Sequence, residues 1–341
     1  MTLVELISRP GAQYHFGNIL PTDEDPNMTV VSPFPQSDLL FSALVNIWAK
    51  VFGDANALVD RFMNDEIQIS SAFFYLKTGG KTTRFLPKPI AANLVRSDDH
   101  KKLKKIQFVS ENLIMNGILP NQWFDMGECK FVGHQFLCLA SEITNEISSI
   151  YDETVLPKVK VHTDDKEKQL YSQTNIQFCL HEDIETGYYF YLSERLPDDE
   201  REKLHTVIRI LADEGLGGDR TSGCGLFEGT RIQKCDFPQH REPYFLSISL
   251  GNPSPKERDA FLYYQVVTRG GRKIASRTQL KYVNMIAEGA IVKRDGDQPL
   301  SGRIVDVSPN NDGTYLRNGK VFLYPLHPNY RALWEKDTHT D

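Results

Sequence analysis

Two strand-and-helix segments, far apart in the chain, most strongly constrain how this sequence folds. An apolar run at 3–8 predicts a strand, and a helical pattern of apolar residues follows from Ser37, which we predict as the N-cap. In the second segment, residues 188–192 predict a strand, an amphipathic helix ends at Gly215, and 226–232 predict another strand. The recurrence predicts a mixed fold of strands and helices with a weak internal repeat and long insertions.

The chain is long enough for two domains. At about 150 residues per domain, 341 residues correspond to two folding units. Hydrophobic residues make up 40% and charged residues 25%, which is typical of globular proteins. A polar, charged stretch at 157–173 predicts a boundary. We therefore expect domains at 1–157 and 158–334, followed by a polar tail at 335–341.

Charge and cysteine content narrow the class of protein. The formal net charge of −6 argues against a protein that coats DNA nonspecifically, so any nucleic-acid contact must come from local patches. No apolar run reaches the roughly 20 residues that cross a bilayer, and Glu5 does not fit a signal peptide. The five cysteines are odd in number and scattered, which favours reduced thiols. We expect a cytoplasmic protein without a membrane segment.

The most specific local feature is a glycine-rich loop at 215–225. Five glycines in eleven residues permit positive φ angles, so successive N–H groups could point at one anion. Arg220 adds a guanidinium suited to phosphate, and Thr221 and Ser222 add hydroxyl donors. The loop therefore predicts a contact with a polyanion, the alternative being a flexible turn without a ligand.

Three familiar phosphate or nucleotide motifs do not fit this loop. A Walker loop needs a lysine before Ser or Thr at a helix start, and none is present. A dinucleotide fingerprint lies between a strand and the following helix, whereas this loop follows its helix. Residues 217–219 resemble a cyclase Gly-Gly-Asp-Asp turn, but Arg220 replaces the second carboxylate needed for two metal ions.

Metal sites and cofactors are not expected. Cys129, His134 and Cys138 lack the preceding Cys-x2 of a zinc knuckle and lie among apolar residues, so buried thiols are favoured. Asp164 and Asp165 belong to a charged loop and are expected to be solvated. We expect no metal site and no cofactor.

Segments in a fixed order along nearly the whole chain resemble the RAMP superfamily of CRISPR effector proteins. Within it, the sequence is similar to the fourth subunit of the type III-A Csm complex, which caps the 5′ handle of CRISPR RNA (crRNA). Each piece is short, but their ordered sum is specific. The matching residues are 14–17, 37–44, 69–73, 85–89, 217–225, 244–250, 264–272 and 285–289.

The resemblance implies an α+β fold of two ferredoxin-like (RRM-like) βαββαβ domains with long insertions. It implies a noncatalytic subunit that anchors the crRNA 5′ handle. Its partners would be the large polymerase/nuclease subunit and the first backbone RAMP subunit of the Csm complex. An insertion at 164–168 is a candidate thumb between nucleotides.

Single-stranded RNA is held through basic and hydrogen-bonding groups near aromatic side chains. Between Lys77 and Lys105 lie nine Lys or Arg residues and two Asp, which is also the pattern of a solvated face. The stretch 268–287 holds five basic residues and no acid. The predicted RNA-binding residues are His15, Lys81, Arg84, Lys88, Gly217, Gly218, Arg220, Thr221, Ser222, Gly223, Gly225, Arg269, Arg272 and Lys273.

His15 leaves a second hypothesis open. Some RAMP relatives cut RNA with a histidine near the N-terminus, which acts as a general base on a ribose 2′-OH without metal. The alternative function is therefore a metal-independent endoribonuclease that processes precursor crRNA. One histidine falls short of a catalytic constellation, so we favour a packing or RNA-contacting role for His15.

Overall fold

The computed structural model describes residues 1–19, 29–95, 100–125, 127–161, 168–239, 243–272, 278–294, 300–311 and 313–335. Within these residues the chain forms 22 strands, five α-helices and four short 3-10 helices. The predicted α+β class is therefore confirmed.

The helices are short except for α1 and α5, which carry the amphipathic patterns seen in the sequence. The α-helices are α1 (Ser37–Phe52), α2 (Ala55–Met63), α3 (His100–Lys105), α4 (Glu111–Met115) and α5 (Asp198–Glu214). The 3-10 helices are Ile90–Leu94, Arg220–Ser222, Arg258–Ala260 and Pro328–Leu333. Among the described residues, none of the helices combines the length and the apolar character required to span a bilayer.

The strands fall into one large sheet and several smaller ones. In chain order the first fourteen are β1 (Thr2–Ser8), β2 (Gln13–Tyr14), β3 (Phe16–Ile19), β4 (Thr29–Ser32), β5 (Ile67–Ile69), β6 (Phe73–Thr78), β7 (Lys81–Pro87), β8 (Phe108–Ser110), β9 (Cys129–Val132), β10 (Phe136–Leu139), β11 (Tyr151–Val161), β12 (Lys168–Phe178), β13 (Ile184–Glu194) and β14 (Phe227–Lys234). The remaining eight are β15 (Tyr244–Ser247), β16 (Phe261–Tyr263), β17 (Val266–Arg269), β18 (Val283–Ile286), β19 (Ile291–Lys293), β20 (Gly302–Asp306), β21 (Leu316–Lys320) and β22 (Leu323–Pro325).

The large sheet joins strands from distant parts of the chain. Its order is β14-β1-β13-β6-β7-β8-β10-β9, and β5 also pairs with β13. In β1, Val4 pairs with Phe190 on one side and with Ile232 on the other, and both pairings are antiparallel. The boundary predicted at residue 157 lies within β11, and the large sheet contains strands from both sides of it.

The start of α1 differs from the prediction. Gln36, not Ser37, occupies the N-cap position. Ser37 is buried, and its Oγ accepts a hydrogen bond from the N–H of Leu250 at 3.1 Å. The backbone N–H of Ser37 donates to Ser71 Oγ at 2.9 Å. These long-range contacts use the hydroxyl that the local pattern assigned to capping.

The sequence signals of α5 are confirmed. Pro197 precedes the helix, acidic residues 198–200 occupy its first turn, and Gly215 ends it with φ of 80°. The acidic first turn suits the positive end of the helix dipole. The buried residues Leu204, Val207, Ile208 and Leu211 form its apolar face.

A long antiparallel ribbon and a smaller sheet complete the fold. The ribbon of β11 and β12 pairs with β2 through Ile176 and Tyr14. The smaller sheet has the order β16-β19-β15-β22. It packs on a separate cluster formed by Phe261, Ile286, Ala290, Val292 and Val321. Among the described residues from 243 to 335 there is no α-helix, so this part departs from the predicted βαββαβ pattern.

Candidate nucleic-acid interface

Residues 14–17 alternate between the core and the surface. Tyr14 is buried, with its ring centroid 5.5 Å from that of Tyr188, and Phe16 is buried beside it. The Tyr14 hydroxyl donates to the backbone carbonyl of Leu226 at 3.1 Å. Since successive side chains of an extended segment point to opposite sides, His15 faces away from the core, toward the glycine-rich loop.

The backbone of the glycine-rich loop packs directly on this segment. The N–H of Gly218 donates to the carbonyl of His15 at 2.8 Å, and the N–H of Gly225 donates to that of Gln13 at 2.8 Å. A Cβ at Gly217, where φ is +97°, would lie 2.5 Å from the His15 carbonyl oxygen. These glycines thus permit close backbone packing. The prediction that their successive N–H groups surround one anion is wrong for Gly218 and Gly225.

The tip of the loop carries exposed polar side chains. Arg220, Thr221 and Ser222 form a 3-10 turn on the surface, and Gly223 follows with φ of 86°. The Arg220 guanidinium lies 3.9 Å from the Glu214 carboxylate, and 43% of its side chain is exposed. The tip therefore offers a cation and two hydroxyl groups to a ligand arriving from solvent.

A polar cluster lies between the loop and the ribbon. Lys158 Nζ donates to the Asp219 carboxylate, and His15 Nδ1 lies 2.9 Å from the Thr174 carbonyl oxygen. Burial alone would raise the pKa of Asp219, but hydrogen bonds from Lys158 and Gln173 lower it below the usual value. Sequence reasoning missed Lys158, because nothing in its neighbourhood along the chain indicates a contact 61 residues away.

The predicted RNA-binding residues of the 268–287 stretch, Arg269, Arg272 and Lys273, do not share one environment. Arg269 is 8% exposed, and its guanidinium donates twice to Asp38, at 2.9 and 3.0 Å. Arg269 was predicted to bind RNA at the surface. Its charge is instead paired with Asp38 inside the protein. Arg272 is exposed and forms a β-bridge with Gln279. Lys273 lies outside the described residues.

The 268–270 residues form hydrogen bonds with the same N-terminal segment that contacts the glycine-rich loop. Asn18 Nδ2 donates to the Thr268 carbonyl at 2.8 Å, and its Oδ1 accepts from the N–H of Gly270 at 2.9 Å. Residues 13–18 thus contact the loop at one end and residues 268–270, at the end of β17, at the other. Sequence reasoning missed Asn18, although it directly follows the 14–17 segment.

Lys88 and the 265–289 hairpin lie beside the same cavity. Its Nζ donates to Asn93 Oδ1 at 2.9 Å and to the Leu103 carbonyl at 2.8 Å. Burial lowers the pKa of Lys88 to about 8. The N–H of Ile90 donates to the Gly289 carbonyl at 2.9 Å, which fastens the Lys88 segment to this hairpin. Lys88 and Arg269 line one cavity of about 930 Å³.

Two predicted residues lie elsewhere. Lys81 is exposed at the start of β7, where it pairs with Thr78. Arg84 is partly buried, with its Nη2 3.2 Å from the Glu5 carboxylate and its guanidinium 5.9 Å from the Tyr189 ring centroid. Neither residue lines the cavity that holds Lys88.

The cysteines expected to be buried are in the core. Cys129 and Cys138 are inaccessible, and burial raises the pKa of Cys129 to about 11 and that of Cys138 further. Among the residues that the structure describes, no three His, Cys, Asp or Glu side chains are grouped to hold a metal ion. Asp164 and Asp165 lie outside the described residues, as does the candidate thumb apart from Lys168, where β12 begins.

Comparisons with known proteins agree with the resemblance seen in the sequence. Residues 240–326 match the family model described as the CRISPR Csm4 C-terminal domain. The chain is 25% identical to the CRISPR system Cms protein Csm4 of Methanocaldococcus jannaschii, over 96% of this chain and 98% of that protein.

Solved structures share the fold. A chain in the crystal structure of the Csm3–Csm4 subcomplex of a type III-A CRISPR-Cas interference complex superposes with a TM-score of 0.69 and 23% identity, covering 96% of this chain and 100% of that chain. A chain of a Csm1–Csm4 cassette in complex with cA4 gives 0.56 and 20% identity, covering 96% and 98%. The chain therefore has the RAMP-like fold of these two chains.

Residues 240–326 match the Csm4 C-terminal model, and nearly the whole chain is similar to a curated Csm4 protein, which confirms the resemblance seen in the sequence.

Proposed function

We propose that this protein is a noncatalytic, RNA-binding subunit of a cytoplasmic type III-A CRISPR interference complex. It anchors the 5′ handle of crRNA and links Csm1 to Csm3, in the roles of the large polymerase/nuclease subunit and the backbone RAMP subunit. The partners follow from the complexes in which the structurally similar chains occur, a Csm1–Csm4 cassette and a Csm3–Csm4 subcomplex.

The topology supports two ferredoxin-like units. In chain order β1, α1, β6, β13, α5 and β14 give a βαββαβ series, and the sheet order of its strands is β14-β1-β13-β6. The strands β15, β16, β19 and β22 have the matching order β22-β15-β19-β16. We propose that the second unit is a ferredoxin-like sheet in which short 3-10 and strand segments replace the helices.

The main support for the proposed RNA contact is that two separate basic elements both contact residues 13–18. The glycine-rich loop and residues 268–270 are about 50 residues apart in sequence, yet both form hydrogen bonds with this one segment. The exposed ends of these elements carry Arg220, Thr221, Ser222 and Arg272. Phosphate contacts of this kind position an RNA strand, and the cationic donors supply the affinity.

Binding of a labelled handle RNA to Arg220→Ala tests this proposal. Losing one charge-assisted contact should weaken binding by about 10- to 100-fold and reduce the salt dependence of the affinity. Arg209→Ala removes another exposed arginine, from α5, and serves as the matched control. Equal affinity of the Arg220 variant and the control, measured by fluorescence anisotropy, would exclude the loop as an RNA contact.

The endoribonuclease alternative has a separate test. His15 Nδ1 is engaged with the Thr174 carbonyl, and the adjacent Asp219 is paired with Lys158, so the ring has structural partners. We expect the isolated chain to leave precursor crRNA intact in EDTA. Products ending in a 2′,3′-cyclic phosphate that disappear in His15→Ala would establish the nuclease instead.

A further inference from the structure

A groove of about 930 Å³ opens between the β7–β8 connection and the β17–β18 hairpin. Lys88, His100, Lys104 and Gln107 line it from the connection, and residues 265–269 line it from the hairpin. We call it the basic groove. Its α3 residues were not among the predicted RNA-binding residues, because a lysine-rich helix is usually a solvated face.

The charges inside the basic groove favour an anionic ligand. His100 and Lys104 are exposed, and no ion pair joins either to an acid among the described residues. Lys88 has two protein acceptors for its three N–H donors, which leaves one donor for a ligand.

The acidic residue that lines the groove is Glu288, and it offsets little of this charge. Its carboxylate accepts hydrogen bonds from Ser71 Oγ at 2.5 Å and from Gln36 Nε2 at 3.2 Å, and burial raises its pKa. The Arg269 charge is offset by Asp38. The groove therefore keeps a positive balance from Lys88 and Lys104.

The outer edge of β17 presents main-chain groups to the groove. The Thr268 carbonyl points outward, where it accepts from Asn18. In an antiparallel pair, residues two apart share an orientation, so the N–H and carbonyl of Val266 lie on the same outer edge. Gln107 and Gln265 add side-chain amides. These are donors and acceptors suited to the edges of unpaired bases.

The basic groove continues from the glycine-rich loop. Asn18 lines it, and three residues earlier His15 contacts the loop. Three residues of extended chain span about 10 Å. We propose that the basic groove binds the phosphodiester backbone of the same single-stranded RNA, with Lys88 and Lys104 contacting phosphates beyond those held at the loop. This inference rests on the proposed function, since it extends the RNA path of that site.

The test uses the full chain and two oligouridylates of about 4 and about 16 nucleotides, which bracket common site sizes. The double variant Lys88→Ala/Lys104→Ala should bind the long RNA at least about tenfold more weakly and lower its salt slope by about 1.4. Binding of the short RNA should not change. Lys234→Ala/Lys256→Ala removes two exposed lysines that do not line the groove and is the matched control.

The outcomes separate this inference from the proposed function. Arg220→Ala should weaken binding of both RNAs, so loss only in the groove variant would reject the loop while supporting the groove. If Lys88→Ala/Lys104→Ala binds the long RNA as tightly as the Lys234→Ala/Lys256→Ala control does, the groove proposal is overturned and the proposed function is not. A groove variant that loses affinity for polyglutamate but not for RNA would also overturn it, in favour of an acidic polypeptide.

Discussion

A deeply buried ion pair joins α1 to β17. Asp38 is 3% exposed and receives hydrogen bonds from Arg269 and Arg317. Burial alone would raise the pKa of Asp38, but the two guanidinium groups outweigh it and lower the pKa. Arg269 therefore links β17 to α1, because its charge is paired inside the protein.

Replacing Asp38 should destabilise the fold strongly. Asp38→Asn leaves two guanidinium groups buried without their counter-charge, so we expect a loss of about 3–5 kcal/mol in the free energy of unfolding. Urea denaturation measures it. Asp198→Asn changes a carboxylate that is 94% exposed and should alter stability by less than about 1 kcal/mol. Similar midpoints for the two variants would show that the pair does not support the fold.

The same residue gives a pH dependence. A carboxyl whose folded pKa is lowered contributes stability above its usual pKa of about 4, and that contribution is lost as pH falls through the folded value. The difference in stability between the wild type and Asp38→Asn should therefore narrow in acid. A difference that stays constant from pH 7 to pH 3 would contradict the lowered pKa.

At the level of elements, local signals in the sequence were sufficient for some features and not for others. Proline, acidic residues and a final glycine predicted α5, since each acts within its own helix. The predicted N-cap of α1 was wrong because the Ser37 hydroxyl accepts a hydrogen bond from Leu250, more than 200 residues away. The glycine-rich loop was identified, but its packing on His15 was not, because that contact also spans the chain.

Gly225 tests the packing role of the loop. Its φ is +83°, and a Cβ there would lie 2.2 Å from the Leu216 carbonyl oxygen. Gly225→Ala should lower the free energy of unfolding by at least about 2 kcal/mol, from backbone strain and from this clash. Thermal or urea unfolding followed by circular dichroism measures the change.

Gly229 is the matched control, because it lies in β14 with open space at its Cβ position. Gly229→Ala should change stability by less than about 0.5 kcal/mol. If Gly225→Ala is tolerated as well as this control, the loop does not need glycine for packing, and a ligand contact becomes its better explanation.

At the level of the whole molecule, the large sheet interleaves the two halves of the chain. β1 has β13 and β14 as neighbours, and both lie beyond residue 157. Composition marked the polar stretch at 157–173, but pairing partners of a strand are not encoded in composition. The ribbon that contains this stretch returns to β2 through Tyr14, which ties it to the same unit.

Separate expression of residues 1–157 tests the predicted domains. Without β13 and β14, β1 would lack both of its neighbours, so we expect no cooperative thermal transition for this fragment in circular dichroism. Co-expression with 158–341 should restore one. If 1–157 unfolds cooperatively by itself, the predicted domain boundary stands despite the shared sheet.

The interleaved sheet also bears on how the protein is made. β13 leaves the ribosome roughly 180 residues after β1, an interval of about 10 to 35 s at ordinary rates of synthesis. Throughout that time the N-terminal strand lacks the neighbours that later flank it. Unpaired strand edges invite association with other chains. The nascent polypeptide, rather than the folded protein, is therefore the form most in need of chaperone protection.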